Sequence, residues 1–143
     1  MKPLLVAALV FISTSCFAQY PYDAKRDNLW PFGYGYAAGF NDTLFGLTWL
    51  DYASGSLNIN REFIDIDFRE TDAVGCDTNG NLLFTTNGIM IYNRNSTVMQ
   101  GCDTLNPGHW AEQTAAVGYI LPQGALALPM LANNTEWCLF HSR

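Results

Sequence analysis

The chain has 143 residues, a formal charge of −6 and a charged share of only 14%. Its 49% hydrophobic content excludes a disordered chain, and its length allows at most one ordinary domain. Lysine and arginine number 7 against 13 aspartates and glutamates, with no basic stripe, so charge argues against a nucleic-acid partner and a polybasic membrane anchor.

Met1 and Lys2 make a short basic start, residues 4–12 are an unbroken apolar run, and residues 13–18 are mostly small and polar. This is the layout of a signal peptide spanning 1–18, with cleavage after Ala18 leaving Gln19 first. Nine apolar residues fall well short of the roughly 20 that a membrane-spanning helix needs. Lipoprotein processing at Cys16 is a rival, opposed by the lack of an aliphatic residue three positions before it. The mature chain is expected to be exported, secreted or at the outer cell surface, without a transmembrane segment. Loss of Lys2 leaves it six basic residues against thirteen acidic.

Residues 19–43 form a leader rich in aromatic and turn residues, with Tyr20, Tyr22, Trp30, Phe32, Tyr34 and Tyr36 among prolines and glycines. No helical or strand period is visible. An extended segment packing its rings on the first sheet is one expectation; an aromatic platform for sugar rings is the other.

Residues 44–52 predict a strand, and Ser54-Gly55-Ser56 turns the chain. Residues 58–68 alternate, placing Ile64, Ile66 and Phe68 on one face and Asp65, Asp67 and Arg69 on the other. Asp65, Asp67, Glu70 and Asp72 form the densest acidic run. A solvated strand face explains it; so would a pair of carboxylates set for glycosidic acid–base work, since same-face strand neighbours lie roughly 7 Å apart.

Residues 70–101 carry the strongest signal. Asn79-Gly80 and Asn87-Gly88 suit two-residue type I′ turns, which need φ > 0 at both central positions. They separate short apolar runs at 73–76, 82–86 and 89–92, and a fourth segment at 97–99 follows the polar turn 93–96. An antiparallel meander of four strands is predicted, about the size of one propeller blade. Asp77, Asn79 and Asn81 offer oxygen ligands at alternate positions, a weak calcium-loop pattern that lacks a distal bidentate glutamate; a hairpin turn is the favoured reading.

The series from Gly80 to Gly101, G-N-L-L-F-x-T-x-G-x-x-x-Y-N-R-N-x-x-x-M-x-x-G, resembles the opening blade of large secreted proteins of Bacteroidota. Those proteins carry an N-terminal propeller-like β-domain and usually a C-terminal sorting or gliding-motility-type domain for type IX secretion. The resemblance extends in order through Phe45-Gly46-Leu47, Ser54-Gly55-Ser56 and Phe68-Arg69-Glu70-Thr71, then Gln113, Ile120-Leu121-Pro122 and residues 137–141. It implies an all-β fold in which residues 44–143 hold one blade and part of a second. On this resemblance 115–121 and 136–141 would be the second blade's first strands. The family's proteins are several times longer, and Cys76 and Cys102 are not part of its pattern. An incomplete propeller-like domain, the piece of a longer protein, is the expectation.

After the meander, Asn106 to Trp110 reads as a loop whose His109 has only Glu112 at ligand spacing, so a surface histidine is expected. Residues 113–121 predict a strand, 124–132 an apolar linker broken by Pro129, and 136–141 a last strand. Three cysteines outlast the signal: Cys76, Cys102 and Cys138. Three pairings are open; the shared Gly-Cys-Asp-Thr context of Cys76 and Cys102 favours those two. Cys138 and His141, three apart on a strand, would face opposite ways and make a poor catalytic dyad. Asn41, Asn95 and Asn133 head N-glycosylation patterns.

No nucleotide, metallopeptidase or serine-hydrolase motif occurs, and no catalytic residue or cofactor is assigned. The function expected is a non-enzymatic exported β-module for binding, adhesion or architecture, with an unknown protein or glycan ligand. A propeller-type glycan-active enzyme using Asp65 to Asp72 and a free-standing disulfide-stapled domain are the alternatives.

Overall fold

The computed structural model describes residues 25–34, 46–64, 66–130 and 136–142. The signal segment with Cys16, the rings of Tyr20, Tyr22 and Tyr36, the strand start at Leu44, Asp65, and the acceptors Asn41 and Asn133 lie outside the described residues. The described chain runs β1 (Leu29–Phe32), β2 (Leu47–Asp51), β3 (Asn58–Glu62), β4 (Ala73–Cys76), β5 (Leu82–Thr86), β6 (Ile91–Asn93), α1 (His109–Thr114), β7 (Ala125–Pro129) and β8 (Trp137–His141). All strand pairs are antiparallel, in sheets ordered β1-β2-β3, β4-β5-β6 and β7-β8. The class is therefore all-β, with no closed barrel among the described residues.

The first sheet shows how period two divides its side chains. On β2, Leu47 and Trp49 point inward and are buried, while Thr48 and Leu50 point the other way. The Trp49 indole N–H donates to the Glu62 carboxylate at 3.0 Å, so its polar edge is satisfied across the sheet. β1 lies within the leader, where no strand was expected. Its Pro31 disguises it in sequence, yet β1 is an edge strand, the place where a missing N–H is tolerated.

The strand expected over 58–68 stops at Glu62. Residues 66–68 instead run inward, with Ile66, Asp67 and Phe68 all buried and the Phe68 N–H donating to the Gly33 carbonyl at 3.0 Å. The alternation correctly marked Ile66 and Phe68 as buried, but Asp67 between them is buried as well.

The central meander forms, with corrected turns. At the first, Asp77 N–H donates to Asn81 O at 2.9 Å and Gly80 N–H to Asp77 O at 3.0 Å, enclosing three residues. Only Gly80 has positive φ, 89°, so this is not a type I′ turn at Asn79-Gly80. At the second, Thr86 pairs with Ile91, so four residues intervene and β6 begins at Ile91, two residues later than expected. Gly88 alone takes positive φ there, 82°. Asn93 to Thr97 repeats the first loop's bonds, with Asn93 N–H to Thr97 O at 2.8 Å and Ser96 N–H to Asn93 O at 2.9 Å. Ser96, φ 60°, stands where the first loop has glycine. The fourth segment then joins through a Tyr92–Val98 bridge.

Between β4 and β5, Gly75 faces Phe84, and the ring lies over the glycine: a Cβ at Gly75 would clash with Phe84 Cε1. The core joins Leu47, Trp49, Ile66, Phe68 and Tyr92, with Leu29, Ile64, Val74, Leu82 and Met90 packed against it. The first two sheets and the segment linking them thus share one interior.

Two expectations fail beyond the meander. The strand predicted over 113–121 is replaced by α1 and the turn after it, in which Ala111 and Thr114, three apart, share the buried side. Ala111, Glu112 and Gln113 are good helix formers, and burial at that spacing is helical. The linker expected at 124–132 contains β7, paired with β8 in the register Leu126–Phe140 and Leu128–Cys138. The partner of 136–141 is therefore β7 and not 115–121. Pro129 had suggested a break, but it sits at the strand's last position, opposite Trp137.

The two matching hairpin loops generate a paired prediction. Ser96→Gly relieves a left-handed backbone and stabilises by up to about 1 kcal/mol in a denaturant melt. Gly80→Ala destabilises by about 1 kcal/mol or more, since its φ is positive and the new methyl meets Lys25 Cβ at 3.2 Å. Changes of the same sign at both positions would contradict the loop assignment.

Candidate functional site

The register of the first sheet aligns Trp30 with Leu50 and Leu50 with Ile59, and Phe32 with Thr48 and Thr48 with Arg61. These residues share the face opposite Leu47 and Trp49. Tyr34 lies two residues beyond Phe32, and Phe63 two beyond Arg61, its ring 3.7 Å from where a Gly46 Cβ would stand. Trp30, Phe32, Tyr34 and Phe63 remain 49%, 45%, 49% and 55% exposed. Same-face residues on a strand are spaced roughly 7 Å apart, so β1 presents two neighbouring rings, Trp30 and Phe32, with Tyr34 exposed just past the strand's end, after Gly33 turns the chain at φ 101°. The Trp30 indole N–H donates to the Asp27 carbonyl at 2.6 Å, which fixes that ring while leaving it exposed. The leader's rings at 30, 32 and 34 therefore do not bury themselves on the sheet. Those of Trp30 and Phe32 line its outer face. Phe63, Ile59 and Arg61 were missed as members, because only the pairing of β3 with β2 brings them onto the same face as the β1 rings.

The acidic run does not behave as a single solvated face. Asp67 is buried, contrary to expectation, and the backbone of Gly118 packs against it: a Cβ there would meet the Asp67 carbonyl at 2.8 Å. Glu70 is exposed and Asp72 half-buried. Burial pushes the Asp72 carboxyl above the usual carboxylate range.

Asp77, Asn79 and Asn81 belong to a loop that uses its own oxygens. Asp77 Oδ1 accepts from the N–H of Asn79 at 2.8 Å and of Asn81 at 2.9 Å, and Oδ2 accepts from Asn81 Nδ2 at 2.8 Å. These bonds, that from the Asn81 side chain foremost, hold the Asp77 carboxyl below its ordinary range. The carboxylate staples the hairpin, which accounts for the alternating pattern without an ion. His109 is exposed as expected, but it opens α1 and contacts the Trp110 ring edge-on, with centroids 5.8 Å apart.

Cys76, Cys102 and Cys138 are free thiols, so the favoured Cys76–Cys102 bond is absent. The register explains why. Cys76 lies on β4, and Cys102 lies beyond the far edge of β6, where its carbonyl accepts from Ile91 N–H at 3.0 Å. Three inter-strand spacings, about 14 Å, separate them, against a limit of about 7 Å between bridged Cα atoms. Their shared tetrapeptide context reflects similar turns, not proximity. Burial pushes the Cys76 thiol up to about 11, helped by the carboxylates of Asp77, Asp27 and Asp51.

Comparison with family models, with curated proteins and with solved structures finds no match to this chain.

The buried thiol has a measurable consequence. With its pKa raised from 9.0 to about 11, Cys76 keeps a thiolate fraction about a hundredfold below that of an ordinary cysteine at pH 8. Iodoacetamide should label Cys102 and Cys138 of the folded chain first. Cys76 should follow at least about tenfold slower, accelerating only as pH approaches 11. Equal rates for the three in the folded protein would contradict its burial.

Proposed function

We propose that this chain is an exported, non-enzymatic β-module that acts by binding, with a glycan as its ligand and the outer face of the first sheet as its site. The observation that carries this proposal is the pair of exposed rings Trp30 and Phe32 on β1, with exposed Tyr34 beyond the strand's end and Arg61 and Phe63 across β2. Sugar rings present C–H faces that stack on flat aromatic surfaces, and a pair of rings on one rigid strand can engage successive sugars without a deep pocket. Arg61 and Thr48 on the same face supply donors and an acceptor for hydroxyl groups. The signal-like start supports export, and the resemblance of residues 80–101 supports placing the meander as one blade of a propeller-like domain in a secreted or cell-surface protein.

The glycan-cleaving alternative draws its support from Asp72, whose carboxyl burial pushes above the usual carboxylate range. Against it, Asp67 is buried and Glu70 is exposed. The stapled-domain alternative draws no support from Cys76, Cys102 and Cys138, which are all free thiols.

A glycan panel tests both the ligand and the class. The intact protein should bind at least one polysaccharide without shortening it, and Trp30→Ala or Phe32→Ala should weaken binding about tenfold while leaving the melting temperature near that of the parent. Hydrolysis that Asp72→Asn or Asp67→Asn abolishes would overturn the non-enzymatic assignment. Binding indifferent to Trp30 and Phe32 would overturn the site. Sequencing of the exported product should start at Gln19.

A further inference from the structure

A second concavity lies away from the β1 rings, between the β5–β6 loop and α1. It encloses about 370 Å³, at the small end of ligand-sized sites. Its apolar walls are Ile89, Met90, Pro107, Ala111 and Ala115, and Ile89 and Ala111 are buried in the fold beneath. Its polar lining includes two carboxylates, Asp103 and Glu112, both on exposed residues. Neither carboxylate has an ion-pair or hydrogen-bond partner among the described residues. The groove is shaped by bonds on both sides: Leu105 N–H donates to the Ile89 carbonyl at 2.7 Å, and Glu112 N–H to the Gly108 carbonyl at 3.0 Å.

We infer that this groove is a docking site for a basic side chain, arginine or lysine, carried by an extended segment of a protein partner. Such a side chain has the two properties that the groove pairs. Its methylene stem covers apolar wall, and its cationic head stays at the wet rim beside carboxylates. The net negative charge of this chain favours approach of a basic segment. Two carboxylates against apolar walls suit an organic cation better than calcium, which takes six to eight oxygens. A smaller hollow of about 160 Å³ adjoins it across Pro107, Gly108 and Ala111, with Trp110 and Tyr119 in its lining. Adjacent hollows on one surface fit two side chains of an extended peptide rather than a single compact amine. The site is independent of the β1 rings and of the glycan proposal.

The probes are two otherwise identical acetylated, amidated pentapeptides of alternating alanine and arginine or alanine and citrulline, citrulline being the neutral isostere of arginine. Both are titrated into the intact processed protein while methyl NMR signals are followed. The arginine peptide should shift the methyls of Ala111 and Ala115, and the citrulline peptide should bind at least about fivefold more weakly. Asp103→Asn and Glu112→Gln should each weaken the arginine peptide about fivefold, whereas Glu136→Gln, an equal change in net charge on another surface, should leave it unchanged. Equal affinity for the two peptides would make the groove a merely apolar one and overturn the inference. So would shifts away from Ala111 and Ala115, loss of affinity with Glu136→Gln equal to that with the groove variants, or no binding at peptide concentrations on the order of 10 mM. Calcium that displaces the peptide and shifts the same methyls alone would assign the carboxylates to an ion instead.

Discussion

The structure depends on one buried, polar turn. Thr86, Asn87 and Ile89 are almost wholly removed from solvent, so each backbone group between β5 and β6 must find a partner within the protein. They do so locally. Asn87 Oδ1 accepts from Ile89 N–H at 3.1 Å and Met90 N–H at 3.0 Å, while Thr86 Oγ1 accepts from Gly88 N–H at 3.0 Å and donates to Met90 O at 2.7 Å. Two carbonyls reach outward: Asn87 O takes Tyr119 N–H at 2.8 Å and Ile89 O takes Leu105 N–H. A turn that an isolated hairpin would leave in water is here the knot between the meander and the segments on both sides of α1. Two glycines permit this closeness. A methyl on Gly88 would stand 2.8 Å from Thr71 Cγ2 and Tyr119 Cβ, and one on Gly118 3.2 Å from Asn87 Cβ.

The same chain of contacts continues to the last hairpin. Thr71 Oγ1 donates to the Leu121 carbonyl, Gly124 packs on Thr71, and Ser142 N–H donates to Gly124 O at 2.8 Å. Arg26 lies over Trp137, which meets Phe84 edge-on, so the start of the described chain and its final strand both lean on β5. With the interior organised from the meander, the first sheet spends only one face on the core. Its other face, with the rings of β1, is left to solvent. Core packing and exposed rings are thus divided between opposite sides of β2.

How much of this was legible follows from where each signal resides. The meander was readable because its information is local: short β-rich runs punctuated by Asn-Gly. The turn types were not, since Asp77 and Asn87 recruit side-chain bonds that outcompete a two-residue geometry. The inward strand residues Leu47 and Trp49, and the burial of Ile66 and Phe68, followed from period two. The burial of Asp67 did not, because the segment leaves its sheet and is enclosed by Gly118, fifty-one positions later. In 113–121 the apolar residues suggested a strand, while helical burial of Ala111 and Thr114 is set by packing on the meander. The ring-bearing face was half legible. Trp30, Phe32 and Tyr34 are adjacent in sequence, but Phe63 and Arg61 join only through pairing across β2.

Two asparagines allow the central claim to be measured directly. Asn87 and Asn93 each accept two backbone N–H bonds, but Asn87 is buried, whereas Asn93 ends β6 half-buried and its bonds close an exposed loop. Denaturant unfolding of Asn87→Ala beside Asn93→Ala isolates what burial contributes. If the interior is organised around that turn, Asn87→Ala loses about 2–5 kcal/mol, because two buried donors go unpaired, and Asn93→Ala loses about 1 kcal/mol or less. Equal, small losses at both positions would show that the fold does not depend on it.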